Sequence, residues 1–205
     1  MIPMRRNDQT AGQMPKELRG RIRLLSGVYE PLGLPAEPFS EEANSFLGDL
    51  ARALREDTRT PAYTDVAAFG FWCRRANLLR MKERLGLSGT RIGLGLAFHI
   101  APSNVPVNFA YSYALGLLAG NANIVRVPSK EFAQTDILCQ AVERVLAGGG
   151  YPAIREATSI VAYGHDKDVT DWYSSICDAR IIWGGDETIE AIRESAIGSR
   201  CREVA

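Results

Sequence analysis

Four short segments combine small, polar and turn-forming residues where chemistry could be done at the edge of a fold. They are Ala101-Pro102-Ser103-Asn104-Val105-Pro106, Pro128-Ser129-Lys130, Gly164-His165-Asp166 and Gly184-Gly185-Asp186. Each follows an apolar run of strand length and precedes a segment with helical spacing. A glycine-containing turn that runs into a helix start suits a pyrophosphate, because backbone N–H groups are exposed and no Cβ blocks approach. Asn104 offers a neutral amide donor. From the residue alone, capping the next helix is the plainer use, and stabilising a developing oxyanion is the sharper one. Cys73, Cys139, Cys177 and Cys201 lie far apart, with no C-x-x-C pair and no paired base. They read as ordinary free thiols in a reducing compartment. His99 reads as strand packing or as a support behind the site, and His165 as loop surface. No set of partners has metal-ligand spacing, so no metal is expected.

The elements that must position these loops follow from periodicity. Ser40, with Glu41 and Glu42 behind it, can cap a helix whose apolar stripe is Phe46, Leu47, Leu50 and Leu54. Thr60-Pro61 ends that pattern. A second helix is predicted from about Asp65 to Leu85, with Val66, Phe69, Cys73, Ala76 and Leu79 on one face and Gly86 as its stop. From Thr90 onward, strand-like runs (Ile92–Ile100, Ile124–Val127, Ser159–Tyr163, Ala179–Trp183) alternate with helical stretches (Val105–Ala119, Glu131–Ala147, Lys167–Cys177, Asp186–Ile197). Continuous apolar strands of this kind are buried on both sides, so the expected fold is α/β. It is a Rossmann-type parallel sheet with helices on both faces, preceded by a helical N-terminal segment. Ligands of such sheets bind beyond the carboxyl ends of the strands, where all four segments fall. Gly93-Leu94-Gly95 is assigned to a strand, and the usual dinucleotide fingerprint, with its third glycine opening a helix, is absent. Residues 1–60 are read as an N-terminal extension and first helix, solvated up to about Leu25. Residues 61–205 are read as a nucleotide-binding domain. Cys201–Ala205 begins where a fifth strand should, so the domain reads as truncated, with a short edge strand as the other reading.

Composition excludes several classes. Lys+Arg and Asp+Glu are both 24, the net charge is 0, and 46% of the 205 residues are hydrophobic. This is ordinary for a globular chain, and it gives no field that would recruit nucleic acid. No apolar run approaches the roughly 18 residues of a membrane span, and the polar start has no secretory apolar region. A cytoplasmic location is expected.

The segment Phe98-His99-Ile100-Ala101-Pro102-Ser103-Asn104-Val105-Pro106, followed by Gly120-Asn121-Ala122-Asn123-Ile124-Val125-Arg126-Val127-Pro128-Ser129-Lys130, resembles the nucleotide-binding half of the aldehyde dehydrogenase superfamily. There, a Pro-x-Asn-x-Pro loop precedes a helix, and a Gly-Asn-x-x-x strand ends in Pro-Ser. Ala68-Phe69-Gly70-Phe71-Trp72-Cys73-Arg74-Arg75-Ala76-Asn77-Leu78 and Trp183-Gly184-Gly185-Asp186-Glu187 make this version similar to the long-chain acyl-CoA reductases of bacterial luminescence and their relatives. The likeness covers residues 60 to 205.

The resemblance implies an aldehyde-dehydrogenase-like sheet and NADP-dependent reduction of a fatty acyl-CoA to a fatty aldehyde. It implies that Asn104 is the oxyanion donor. Pro102, Ser103, Arg126, Ser129, Lys130, Gly164, Gly184 and Gly185 would line the cofactor. Lys130 stands where NAD-preferring relatives often carry a carboxylate, so NADPH is expected over NADH. The lysine that precedes the Pro in relatives is Val127 here. Asp186 is left to cap its own helix. The nucleophilic cysteine of such enzymes lies in a second domain, beyond the segment matched here, so this chain is expected to lack turnover alone. A homo-oligomer or acyl-transfer partner subunits are also implied. Two other readings stay open: another CoA-linked aldehyde dehydrogenase, and a non-catalytic nucleotide-binding or interaction domain.

Overall fold

A computed structural model describes residues 13–87, 90–128 and 130–205. Ser129 and the start of the chain, Met1 to Gly12, therefore lie outside the described residues. The elements in chain order are α1 (Lys16–Arg19), β1 (Arg23–Gly27), α2 (Glu41–Glu56), a 3-10 turn (Thr60–Ala62), α3 (Thr64–Trp72), α4 (Arg75–Leu85), β2 (Leu96–Ile100) and α5 (Asn108–Leu118). Then follow β3 (Ala122–Val127), α6 (Ala133–Ala147), α7 (Pro152–Glu156), β4 (Thr158–Ala162), α8 (Lys167–Ile176), β5 (Ala179–Ile182), α9 (Asp186–Arg193) and β6 (Arg202–Val204).

The strands form one six-stranded sheet in the order β1-β4-β3-β2-β5-β6. β2 to β6 run parallel, and β1 pairs antiparallel to β4. Alternation along β3 divides the core. Val125 and Val127 face a cluster built with α2, α3, α5 and α6, while Ala122 and Ile124 face a cluster with Val169 and Tyr173 of α8. Helices thus cover both faces, as the apolar runs require.

Three sequence expectations are corrected. The N-terminal stretch is not a solvated extension from Met14 onward. Met14 and Ile22 are buried in the α8-side cluster, Arg23 pairs with Ala162, and Arg21 holds Asp166 at 2.6 Å and Asp168 at 3.0 Å. The second helix is two helices, because Arg74 is extended (ψ 134°). The Phe71 carbonyl accepts from Arg74 N at 3.2 Å and also from the Asn77 side chain at 2.8 Å, which pins the start of α4 to the end of α3. The turn buries Leu78 and leaves Leu79 40% exposed, and Ala76 is exposed as well. Last, Gly93–Gly95 precedes β2 and is not part of it. Gly95 has φ +127°, and a Cβ there would overlap the Asp178 carboxylate, which accepts from Leu96 N at 2.9 Å. Only glycine tolerates both the angle and the approach.

The first helix forms as expected: Ser40 Oγ accepts from Ala43 N at 3.2 Å, and the Phe46, Leu47, Leu50 and Leu54 stripe is buried.

Candidate active site

β2 is flanked by β3 on one side and β5 on the other. Its following helix, α5, lies on one face, and α9, which follows β5, packs toward the other through Ile189 and Ile192. This is the topological switch point, where open parallel sheets bind ligands. The ladder brings the four loops to one edge. Ile100 is level with Arg126 and with Ile182, and Val127 with Ala162. Beyond them, Ala101 N donates to Arg126 O at 3.1 Å and Trp183 N to Ile100 O at 3.0 Å.

In the loop after β2, Pro102 is half-buried, while Ser103 and Asn104 are exposed. α5 starts four residues later than Asn104. Its N-cap residue is Val107, without a side-chain cap bond, so the capping use of Asn104 is not what the fold adopts. The Asn104 side chain is exposed and makes no hydrogen bond to another described residue.

Near the end of β3, Arg126 is half-buried. It donates to the Gly164 carbonyl at 3.0 Å and lies 4.8 Å from the centre of the Tyr163 ring, while its Nε is buried without a partner. Two residues singled out from sequence, Arg126 and Gly164, are thereby joined. Burial pushes the Tyr163 phenol up to about 12, against the opposing effect of the Arg126 charge. Val127 is buried in the α2–α6 cluster. Lys130 is exposed, with its ammonium 4.9 Å from the Phe132 ring centre.

The third and fourth loops lead into α8 and α9. Gly164 and His165 are exposed. Asp166 caps α8 by accepting from Val169 N at 3.2 Å. Gly184 and Gly185 are exposed, and a side chain at Gly164 or Gly185 would meet open space. The expectation that Asp186 caps α9 is corrected. Gly185 is the N-cap, its carbonyl accepting from Thr188 N at 2.9 Å and Ile189 N at 3.1 Å. Asp186 instead sits in the first turn with Glu187, where the helix dipole favours a carboxylate.

Beneath the loops runs a polar seam that sequence reasoning did not assemble. Trp183 Nε1 donates to Ser112 Oγ at 2.9 Å, and Ser112 contacts His99 Nδ1 at 2.7 Å. His99 Nε2 contacts Asn123 Oδ1 at 3.0 Å, and Asn123 Nδ2 donates to Asn121 O at 2.7 Å. An amide oxygen only accepts, so Nε2 carries the proton and Nδ1 accepts from the Ser112 hydroxyl. Burial holds His99 down at about 4, so it stays neutral. His99 is thus packed in the strand and bonded to Ser112 and Asn123 beneath the loops. The available signal was a serine in an apolar helix and a histidine in an apolar strand.

The thiols are not activated. Burial pushes Cys73 and Cys139 upward. Cys177 and Cys201 lie against each other and are raised as well. Among the described residues, no group of three or more His, Cys, Asp or Glu is placed to hold a metal. No helix among them is long and apolar enough to cross a membrane.

Comparison with known proteins agrees with this geometry. The NAD-dependent benzaldehyde dehydrogenase from Corynebacterium glutamicum superposes with a TM-score of 0.55 at 17% identity, over 82% of this chain and 42% of that one. The gamma-glutamyl phosphate reductase from Thermotoga maritima superposes with a TM-score of 0.51 at 14% identity, over 79% of this chain and 47% of that one. At such identities the likeness shows the fold, an aldehyde-dehydrogenase-like α/β sheet, and the chain spans less than half the length of either neighbour. No curated protein matches the sequence. Residues 74–204 match the family model of acyl-CoA reductase (LuxC), and the chain belongs to that family.

Proposed function

We propose that this chain is the nucleotide-binding part of an NADP-dependent reductase that converts a fatty acyl-CoA to a fatty aldehyde. The observation that carries this reading is the switch point. In a member of the acyl-CoA reductase family, the Asn104 loop and the Gly184-Gly185 turn leave adjacent strands at the same edge of the sheet. The overall change is acyl-CoA plus NADPH and a proton giving aldehyde, CoA and NADP.

The residues present fit a phosphorylated dinucleotide. Gly164 and Gly185 leave open space where a Cβ would stand, and the start of α9 offers backbone donors to a pyrophosphate. Pro102 and Ser103 would border the same crevice. Arg126 has a buried Nε without a partner, and Lys130 is an exposed cation beside the neighbouring strand end. Together with Ser129, they would hold the ribose and its 2′-phosphate. The bound dinucleotide supplies the hydride. The chain's own part is to bind, to orient and to stabilise charge. The Asn104 amide donates to the acyl oxygen as it gains negative charge, and because it is neutral it needs no proton transfer to do so. The acyl group would be carried as a thioester on a cysteine, a role for which none of the four thiols here is activated.

The test uses a protein in which this segment is joined to the remainder of a dehydrogenase-length chain. Asn104→Ala should lower the rate of aldehyde formation from acyl-CoA by roughly 100- to 1000-fold while leaving cofactor affinity unchanged. An unchanged rate, or an equal loss of cofactor binding, would contradict the assignment.

A further inference from the structure

The proposed reaction leaves two thiols unused, and they lie side by side. Cys177 follows α8 and is buried, and Cys201 precedes β6 and is half-buried. Their sulfurs are 3.6 Å apart, although the residues are separated by 24 positions. The backbone holds them together: Arg202 N donates to Asp178 O at 2.9 Å, and Ala179 pairs with Arg202 in the β5–β6 ladder. Cys73 and Cys139 are both buried and neither is paired with another sulfur. The molecule thus contains one close pair of thiols and two thiols that serve as internal controls.

We propose that Cys177 and Cys201 form a reversible disulfide that staples edge strand β6 to the end of α8. The oxidant is a low-molecular-weight disulfide such as oxidised glutathione. The half-exposed Cys201, as its thiolate, attacks one sulfur of the oxidant. A mixed disulfide forms, and one glutathione thiolate leaves and takes up a proton. Cys177 then gives its proton to solvent and attacks Cys201 Sγ. The protein S–S bond forms and the second glutathione thiolate leaves. Two protein thiols are oxidised, and one oxidant disulfide is reduced to two thiols. Burial raises both protein thiols, so the exchange is slow at neutral pH and accelerates as pH rises.

The bridge matters because of what it encloses. The loop from Cys177 to Cys201 contains β5, the Gly184-Gly185 turn and the whole of α9. Beside the bridge, an ion pair already ties β6 to this region: buried Arg180, inside the loop, donates to Glu203, just beyond it, at 2.8 Å. A covalent closure would stabilise this segment mainly by restricting its unfolded ensemble. The proposal stands on the sulfur geometry and does not depend on the cofactor reading.

The test is to equilibrate the folded 205-residue chain with mixtures of oxidised and reduced glutathione. Free thiols are then alkylated under denaturing conditions, and the unreduced peptides are mapped by mass spectrometry. The expected result is one linked peptide pair, Cys177 with Cys201, two hydrogens lighter than the reduced peptides and reversed by dithiothreitol. Cys73 and Cys139 should be alkylated, and the thermal midpoint of the oxidised form should rise by several degrees. Cys201→Ser, at a half-exposed position, should abolish the linked pair. The proposal is overturned if Cys177 and Cys201 both stay alkylatable at every glutathione ratio. A glutathione adduct on Cys201 that never resolves, or links that draw in Cys73 or Cys139, would overturn it equally.

Discussion

Trp183, the first residue beyond β5, donates its indole N–H to the Ser112 hydroxyl at 2.9 Å across 71 positions of sequence. The bond ties one wall of the switch-point crevice to α5, and through Ser112 it reaches the buried imidazole of His99. Removing the hydroxyl would leave the buried His99 Nδ1 without its donor. Ser112→Ala should therefore destabilise the fold by about 1–3 kcal/mol, the cost of an unpaired buried polar group. Urea unfolding followed by circular dichroism checks this, with the midpoint falling and the slope unchanged. A loss within about 0.5 kcal/mol, the range of ordinary surface changes, would mean that the seam is not structural.

The same seam makes stability depend on pH. Burial holds the His99 imidazole at about 4 in the folded chain, against about 6.5 when unfolded. Its folded value is depressed, so between these values the unfolded state binds more protons. The stabilisation is complete above about 6.5 and is lost as pH falls toward 4, amounting to about 3 kcal/mol over the whole window. Denaturant midpoints measured from pH 7 to 4.5 should fall more steeply for the native chain than for His99→Gln, which keeps a donor and an acceptor but does not titrate. Parallel curves would show that His99 carries no such linkage. The Asp57 carboxyl, which Arg59 holds at about 2, titrates below this window and does not confuse it.

Arg180 is 2% exposed and donates to Ser174, to the Ser195 carbonyl and to Glu203. Glu203→Ala would leave this guanidinium buried and short of its counter-charge. The expected loss is about 3–5 kcal/mol, as for one partner of a buried pair, with Glu203→Gln milder. Thermal unfolding measures the loss, and amide hydrogen exchange should quicken first in β6 and α9. A small loss with unchanged exchange would mean that water replaces Glu203 without penalty.

Much of this architecture is legible in the residues, for a physical reason. β2 to β5 are buried on both faces, so their sequences are near-continuous apolar runs. The Ser40 cap is a local signal and appears where it is expected. What is not legible depends on partners remote in sequence. β1 is masked by Arg21 and Arg23, whose charges suggest solvent until the pairing with β4 and the Asp166 ion pair are known. The break at Cys73-Arg74 is secured by a side chain from the next helix. Asn104 and Asp186 both look like caps, yet Val107 and Gly185 occupy those positions. The family loops are readable as a motif, whereas the Trp183–Ser112–His99 seam, built from three separate elements, is not.

The central claim is that the crevice between β2 and β5 is a site for NADPH. It is tested most directly by fluorescence titration of the folded chain with NADPH and NADH in parallel, repeated with Lys130→Ala. The account predicts saturable binding of both, tighter for NADPH. Lys130→Ala should lose roughly tenfold for NADPH, the worth of one charge-assisted contact of about 1.4 kcal/mol, with little change for NADH. A folded chain that binds neither nucleotide would contradict the claim. Equal affinities unaffected by Lys130→Ala would leave a dinucleotide site but contradict its preference for the 2′-phosphate.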